Sequence, residues 1–181
     1  MCVIIAKLAG QQLPPKNELR RAFAQNPDGC GFASKTMSYH SMDFEDFYQH
    51  LVKVPKSEAC IIHFRWATHG SVKLENTHPF YDSETGVYFA HNGVLDLCPT
   101  KDMTDSEFAF RRVIAPAIKY GGYKSAAMKR AVESVRGGSR FAFIKDGNLS
   151  LFGNFTKIGG CLYSNTRHLQ TPRYWHEFYV A

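Results

Sequence analysis

The sequence predicts an α+β fold with antiparallel strand pairing, and two observations support this prediction. Strand-like and helix-like runs are grouped along the chain, whereas a parallel βαβ fold would alternate them regularly. The turn Asp146-Gly147-Asn148 lies between two apolar runs, and an Asp-Gly pair suits the type I′ turn of a β-hairpin. No internal repeat or obvious linker interrupts the pattern, so we expect a single domain over residues 1–181.

The individual elements follow from apolar periodicity and from turn and capping residues. Pro14-Pro15 opens the first helix, and Asn26-Pro27-Asp28-Gly29 ends it with a strong turn signal. Asp43 is a suitable N-cap for the second helix, and Thr104 or Asp105 for the third. The predicted strands are 2–8, 30–39 (as a strand or a hairpin), 58–64, 87–90, 141–145, 149–152 and 161–164, and the predicted helices are 16–25, 43–54, 105–119 and 123–135.

Composition and charge narrow the class of protein. Hydrophobic residues make up 44% of the chain, and no apolar run approaches the roughly 20 residues that a membrane span needs. The N-terminus has no basic leader or secretory signal, so we expect a cytoplasmic protein. The net charge of +6 is spread over scattered basic pairs, which favours a solvated surface or the steering of an anionic substrate over a nucleic-acid partner.

The five cysteines are scattered, odd in number and without a Cys-x-x-Cys pair, which disfavours disulfides and a structural zinc site. Cys2 differs from the others by its position. Removal of Met1, which is usual before a small residue, would leave a thiol and a free α-amine on one residue. With a pKa of about 7.7–8.0, such an amine is a usable base near neutral pH. Taken alone, Cys2 is explained more simply as a small buried residue of the first strand.

Three polar segments lie downstream, each attached to a strand-like run: 63–70 (His-Phe-Arg-Trp-Ala-Thr-His-Gly), 76–80 (Asn-Thr-His-Pro-Phe) and 91–93 (His-Asn-Gly). With Met-Cys at the start and Thr-Asp-Ser-Glu at 104–107, they resemble the glutaminase domain of class II glutamine amidotransferases, in order and at comparable spacing. That family belongs to the N-terminal nucleophile hydrolases. The turn before residue 30 is similar to that of its stand-alone members. Past about residue 120 the resemblance extends only to the general shape of the fold.

The resemblance assigns roles to four residues, each with an alternative explanation. Arg65 is similar to the residue that holds the α-carboxylate of glutamine, which suits its planar guanidinium, whereas a surface ion pair is the alternative. Asp105 matches the acid that binds the substrate ammonium, with helix N-capping as the alternative. Asn92 and Gly93 match the oxyanion hole, which uses a side-chain amide and a backbone N–H. For an isolated Asn-Gly pair, a hairpin turn is the alternative.

Five further residues are candidates for the same pocket. The resemblance implies that Trp66, Thr68 and His69 line or shape the substrate site. His78 and His91 are secondary candidates, because a histidine beside a Pro-Phe turn is often a structural hydrogen-bonding residue. Neither of these two histidines is predicted to act as a catalytic base.

The resemblance also implies a four-layer αββα sandwich and hydrolysis of the glutamine side-chain amide. Cys2 would attack the amide carbonyl, and water would release glutamate from the resulting thioester, with no cofactor or metal. Class II enzymes usually carry a second, synthetase domain, for which these 181 residues leave no room. We therefore expect ammonia to pass to a separate partner enzyme. Two alternatives stay open: a hydrolase of another γ-glutamyl amide, and a non-catalytic binding module that keeps the fold.

Overall fold

Ten strands and five α-helices are present in the computed structural model, which describes residues 1–67, 71–97 and 103–170. The strands are β1 (Val3–Lys7), β2 (Cys30–Ser34), β3 (Ser38–Ser41), β4 (Cys60–Phe64), β5 (Phe80–Asp82), β6 (Val87–Asn92), β7 (Arg140–Lys145), β8 (Asn148–Phe152), β9 (Thr156–Ile158) and β10 (Cys161–Tyr163). The helices are α1 (Lys16–Gln25), α2 (Phe44–Leu51), α3 (Asp105–Phe108), α4 (Ala115–Gly121) and α5 (Ala126–Arg136). A π-helical segment, Ala109–Ile114, joins α3 to α4.

The strands form two antiparallel sheets. One has six strands in the order β3-β2-β4-β1-β10-β9, and the other has four in the order β5-β6-β7-β8. The first strand of the chain is therefore central, since β1 pairs with β4 on one side and β10 on the other. This arrangement places the N-terminus of β1 beside the C-terminal end of β4.

Alternation along the strands gives each sheet two buried faces, because successive side chains point to opposite sides. On the outer face of the six-stranded sheet, Ile5 and Ile62 pack with Leu19 of α1 and Phe47 of α2. The outer face of the four-stranded sheet packs against the helical segment 105–121 and α5 through a cluster rich in phenylalanine. Between the sheets lies a third cluster of mostly small residues: Ile4, Ala33, Ala59, Ile61, Ala90, Ala142 and Ile144. The layers are thus helices, sheet, sheet and helices.

The predicted α+β class and the αββα sandwich are confirmed. The turn at Asp146 and Gly147 has positive φ at both residues, 48° and 79°, as a type I′ hairpin requires. Asp43 caps α2 by accepting a hydrogen bond from the Asp46 N–H at 2.8 Å. Within the described residues, no helix is long and apolar enough to cross a bilayer.

Two predicted elements differ from the structure in their bounds, and two strands were not predicted. The strand predicted to end at Ala90 continues through Asn92, because β7 supplies pairing partners as far as Arg140. The helix predicted from residue 123 begins at Ala126, since Ser125 is its N-cap. Strands β5 and β9 were not predicted, and both have only three residues. Short strands of this kind depend on a neighbouring strand and carry little periodicity of their own.

Candidate active site

Cys2 lies immediately before β1, opposite the segment that follows β4. Val3 pairs with Phe64, and this register brings Cys2 beside Trp66. The Sγ atom of Cys2 lies 3.3 Å from the Trp66 nitrogen and 3.4 Å from the Trp66 carbonyl oxygen. Burial raises the pKa of the thiol, and the Trp66 hydrogen bond and the Arg65 charge oppose this only in part. The thiol is therefore neutral at pH 7, and it needs a base to become a nucleophile.

Arg65 is held in place through its backbone. Its N–H donates to the Gly29 carbonyl at 2.8 Å, and its own carbonyl accepts from the Asp28 N–H at 3.1 Å. The Asp28 carboxylate also accepts from the Ala67 N–H at 2.8 Å. The side chain is buried, at 4% exposure, and burial lowers the pKa of Arg65. The guanidinium still stays charged, because the ordinary pKa of arginine is so high.

The segment around Asp105 resolves the capping question raised by the sequence. Thr104 is the N-cap of α3, because its Oγ1 accepts from the Glu107 N–H at 3.1 Å. Asp105 is the first residue of the helix and is buried, at 8% exposure. Its carboxylate accepts from the Leu95 N–H at 3.0 Å and from the Ser106 N–H at 2.7 Å. Asp105 is therefore a fixed, buried carboxylate and not the cap.

Asn92 and Gly93 follow one another at the end of β6. Asn92 is fully buried, and its Nδ2 donates to the Ser164 Oγ at 2.8 Å. Gly93 has a φ of +152°, and a Cβ atom there would lie 2.1 Å from the Ser139 Oγ. Conformation and packing therefore both require glycine at this position.

Three buried histidines lie close to these residues. The ring of His78 is 4.6 Å from that of His63 and 6.4 Å from that of His91, measured between centroids. The Nδ1 atom of His91 lies 2.7 Å from the Ser106 Oγ, and the Nε2 atom of His63 lies 3.1 Å from the His91 carbonyl. Burial lowers the pKa of His63 to about 3 and of His91 to about 4, and places that of His78 well below its usual value. All three are neutral at pH 7.

These segments meet in one cleft. It is lined by Cys2, Arg65, Trp66, Ala67, Asn76, His78, His91, Gly93, Thr104, Asp105 and Ser106. Most of the predicted site residues are therefore brought together, including both secondary histidines. Asn92 does not line the cleft, although it adjoins Gly93, which does. Thr68 and His69 lie outside the described residues.

Several residues that shape this cleft were not predicted to have a role there. Asp28 was predicted only as part of a turn, yet its carboxylate holds the chain at Ala67. Ser106, within a motif that pointed to Asp105, contacts His91. Ser164 and Asn165 contact Asn92 and the Cys2 carbonyl, and they follow a strand in which no motif had been recognised. Within residues 1–67, 71–97 and 103–170, no group of three or more His, Cys, Asp or Glu residues could hold a metal ion.

Comparison of the sequence with known proteins identifies a family that this chain matches. The model of the family "Glutamine amidotransferases class-II" matches residues 43–137, the part of the chain that contributes Arg65, Gly93 and Asp105. A glutamine–fructose-6-phosphate aminotransferase of Aquifex aeolicus is 33% identical over 98 residues, which are 49% of this chain and 17% of that protein. A putative glutamine amidotransferase of Haemophilus influenzae is 52% identical over 52 residues, which are 28% of this chain and 17% of that protein.

The fold comparison extends beyond the region of sequence similarity. The structure of glutamine phosphoribosylpyrophosphate amidotransferase from B. subtilis superposes with a TM-score of 0.61 and 18% identity, covering 93% of this chain and 43% of that one. The chain thus spans less than half the length of each of these proteins. The family match covers more than half of the chain, and the chain belongs to the class II glutamine amidotransferases.

Proposed function

We propose that this protein hydrolyses the side-chain amide of glutamine to glutamate and ammonia, with Cys2 as the nucleophile. The observation that carries the proposal is the position of Cys2 in a cleft that Arg65, Gly93 and Asp105 also line. These residues come from separate parts of the chain. They offer a thiol for the amide carbon, a cation for the α-carboxylate, an anion for the ammonium and a backbone N–H for the oxyanion. Membership of the family supports the same substrate.

Activation of Cys2 requires the removal of Met1. Met1 is 46% exposed, whereas Val3 is buried, so the bond to be cleaved lies at the surface end of β1. Removal leaves the α-amine on Cys2, and its ordinary pKa of about 7.7–8.0 allows it to accept a proton near neutral pH. The amine takes the thiol proton, directly or through a water molecule. A thiol whose pKa is raised by burial depends on such a base.

Arg65 and Asp105 bind the two charged groups of the substrate backbone. The guanidinium binds the α-carboxylate through paired N–H donors, and the Asp105 carboxylate accepts from the ammonium. Trp66 lines the cleft at the side of Cys2, where it shapes the space around the side-chain amide. Thr68 and His69 are proposed to complete this wall. His78 and His91 are neutral at pH 7, and we give them a structural role at the floor of the cleft.

The reaction proceeds in two balanced halves. The Cys2 Sγ bonds to the amide carbon, and Gly93 N–H and the Asn92 amide stabilise the negative oxygen that forms. The C–N bond then breaks, and the nitrogen leaves as ammonia with the proton held by the α-amine. Water, deprotonated by the same amine, attacks the thioester carbon. The C–S bond breaks, and glutamate and the free thiol are released. No cofactor or metal is required in this proposal.

The ammonia is proposed to be consumed by a synthetase outside the single domain formed by residues 1–181. The relatives named above are aminotransferases and amidotransferases that extend well beyond the matched part. In those proteins the remaining length offers room for a second activity. Here we propose a partner enzyme in trans as the acceptor of ammonia.

The test is an assay of ammonia and glutamate release from glutamine, with and without candidate partner enzymes. Mass spectrometry first establishes that Met1 is absent. We expect release by the parent protein and a loss of at least about 1,000-fold in Cys2→Ala, because the reacting atom is removed. Cys161→Ala is the matched control. It removes a buried thiol of β10, which pairs with Lys7 at the end of β1 away from Cys2, and we expect it to keep full activity.

Three outcomes would contradict the proposal in different ways. No release from glutamine under any condition, with Met1 absent, would overturn the glutaminase assignment. Release of amine from another γ-glutamyl amide, with none from glutamine, would support the alternative hydrolase. Full activity of Cys2→Ala would overturn the assignment of the nucleophile.

A further inference from the structure

Ser164 connects the two sheets at the candidate site. It follows β10, is 4% exposed, and its Oγ lies 2.8 Å from the Ile4 nitrogen of β1. The same Oγ lies 2.8 Å from the Nδ2 of Asn92, at the end of β6. The Ser164 N–H also donates to the Ile4 carbonyl at 2.9 Å. One buried hydroxyl therefore contacts the strand that follows Cys2 and the side chain that precedes Gly93.

The next residue, Asn165, extends this contact to Cys2 itself. Its Nδ2 donates to the Cys2 carbonyl oxygen at 2.7 Å. Its Oδ1 in turn accepts from the Arg167 N–H at 3.3 Å, which holds the amide in this orientation. Two consecutive residues thus fix the backbone of the proposed nucleophile on one side and the proposed oxyanion donor on the other.

A count of donors and acceptors shows what Ser164 can do to Asn92. A hydroxyl has one hydrogen to donate and two lone pairs. With Nδ2 towards it, the Ser164 Oγ accepts from Ile4 and Asn92, and within the described residues its own hydrogen has no acceptor. The Oδ1 atom of Asn92 is likewise buried without a hydrogen-bond partner in this part of the chain. This arrangement leaves a donor and an acceptor unmatched, which is costly in a buried position.

A half-turn of the Asn92 amide resolves both mismatches. The Ser164 hydroxyl then donates to Oδ1 and still accepts from the Ile4 N–H at 2.8 Å. The whole NH₂ group of Asn92 is turned away from Ser164 and is free to donate elsewhere. A hydroxyl can serve as partner to both orientations of the amide, because it is both donor and acceptor.

We propose that Ser164 is a positioning residue for glutamine hydrolysis. Its hydroxyl accepts from the Ile4 N–H of β1 and donates to the Asn92 Oδ1, and so directs the Asn92 NH₂ towards the oxyanion. The inference rests on the proposed function, in which Cys2 is the nucleophile and Asn92 an oxyanion donor. Ser164 acts through Asn92 and does not itself touch the substrate.

The expected effect lies on turnover and not on substrate affinity. Loss of one oxyanion donor costs about 100- to 1,000-fold in kcat in enzymes with such holes, and a misdirected donor costs part of that. We expect Ser164→Ala to lower kcat by about 10- to 100-fold, with KM changed by less than about three-fold. Ser164→Thr keeps the hydroxyl and should recover most of the lost turnover.

The decisive experiment is a double-mutant cycle on kcat with Ser164→Ala and Asn92→Ala. If Ser164 acts through Asn92, its loss has no further effect once the Asn92 amide is gone. Ser41→Ala is the matched control, because it removes another buried hydroxyl, bonded to Asp46 at 2.6 Å, away from the cleft. We expect this control to lower thermal stability without changing kcat.

Equal losses of kcat from Ser164→Ala in both backgrounds would overturn the inference and leave the proposed function standing. A raised KM with unchanged kcat would do the same. No ammonia release by the parent protein would overturn the proposed function and the inference with it. The contact between Ser164 and the Asn92 amide can also be followed in the ¹H–¹⁵N spectrum. The pair of signals from the Asn92 NH₂ group is identified by its absence in Asn92→Ala. We expect that pair to shift in Ser164→Ala and not in Ser41→Ala, and an unmoved pair would contradict the inference.

Discussion

The layer between the two sheets has two unlike halves, and strands β4 and β6 contribute residues to both. The apolar half consists of Ile4, Ala33, Ala59, Ile61, Ala90, Ala142 and Ile144. The polar half consists of His63, His78, Asn92 and Ser164, all at most 5% exposed. Ile61 and His63 are two residues apart on β4, as are Ala90 and Asn92 on β6, so each pair faces the same side of its sheet. Strands β4 and β6 therefore each contribute an apolar residue to one half and a polar residue to the other.

The two halves differ in how completely their groups are matched. The apolar half joins the sheets through close contact of small side chains, which suits their packing distance. In the polar half, His63 Nδ1 and both ring nitrogens of His78 are buried without a hydrogen-bond partner within the described residues. Buried polar groups without partners lower stability, and native structures keep few of them. Such a cluster beside a cleft is typical of a functional site, where chemistry outweighs stability.

The largest expected effect comes from emptying the apolar half. Ile61→Ala removes three carbons from a fully buried position between the sheets. We expect it to lower the free energy of unfolding by about 2–5 kcal/mol, since the sheets cannot close completely on the cavity. Urea denaturation measures the change, and kcat per folded molecule should stay near that of the parent. A loss below about 1 kcal/mol would show that this half does not hold the sheets together.

The second prediction concerns the pH dependence of the polar half. His63 has a pKa of about 3 in the folded protein, against an ordinary value of 6.5. Between these values the unfolded chain binds a proton at this position that the folded protein does not, so stability rises with pH. The stability that depends on a neutral His63 is fully present above pH 6.5 and is lost as the pH falls towards 3. The contribution of one such histidine has a slope of about 1.4 kcal/mol per pH unit.

Urea denaturation at several pH values between 4 and 6 tests this sign and size. In His63→Phe we expect the dependence of stability on pH to fall by about 1.4 kcal/mol per unit. Ile61→Val, on the same strand but in the apolar half, is the control and keeps the slope of the parent. An unchanged slope in His63→Phe would mean that this histidine is not held neutral by burial.

The two halves also differ in how far the sequence predicted them. Short, nearly continuous apolar runs were sufficient to predict β1 and β4 as strands. In the polar half, the His-Asn-Gly motif indicated a site but was predicted to lie beyond the end of its strand. Pairing with β7 extended β6 through Asn92, so a tertiary contact overrode a local turn signal.

Residues that act through distant partners could not be predicted at all. Ser164 lies 160 residues from Ile4 and 72 residues from Asn92 along the chain. Its hydroxyl acquires a role only when β1, β6 and β10 are brought together. Asp28 likewise meets Ala67 across 39 residues. By contrast, the roles proposed for Arg65, Gly93 and Asp105 came from short polar motifs that resemble those of a family, and such motifs can be recognised in a single sequence. The structure places all three residues beside the same cleft.

The smallest expected effect is a gain in stability, opposite in sign to the loss expected for Ile61→Ala. It distinguishes the polar half from the apolar half most directly. The ring of His78 packs 4.6 Å from His63 and 4.4 Å from Phe80, and neither of its nitrogens has a hydrogen-bond partner in the described part of the chain. His78→Phe keeps an aromatic ring among these neighbours and removes two unmatched polar atoms. We expect the free energy of unfolding to rise by about 1 kcal/mol, because an unpaired buried polar group costs about 1–3 kcal/mol and the larger ring strains the packing slightly. Urea denaturation at pH 7 measures the gain, and Phe80→Leu, which disturbs the same ring cluster without removing a polar atom, should instead lower stability. If His78→Phe also lowered stability, the ring nitrogens of His78 would have hydrogen-bond partners in solution. The polar half would then not lower stability at this residue, which would contradict the contrast drawn with the apolar half.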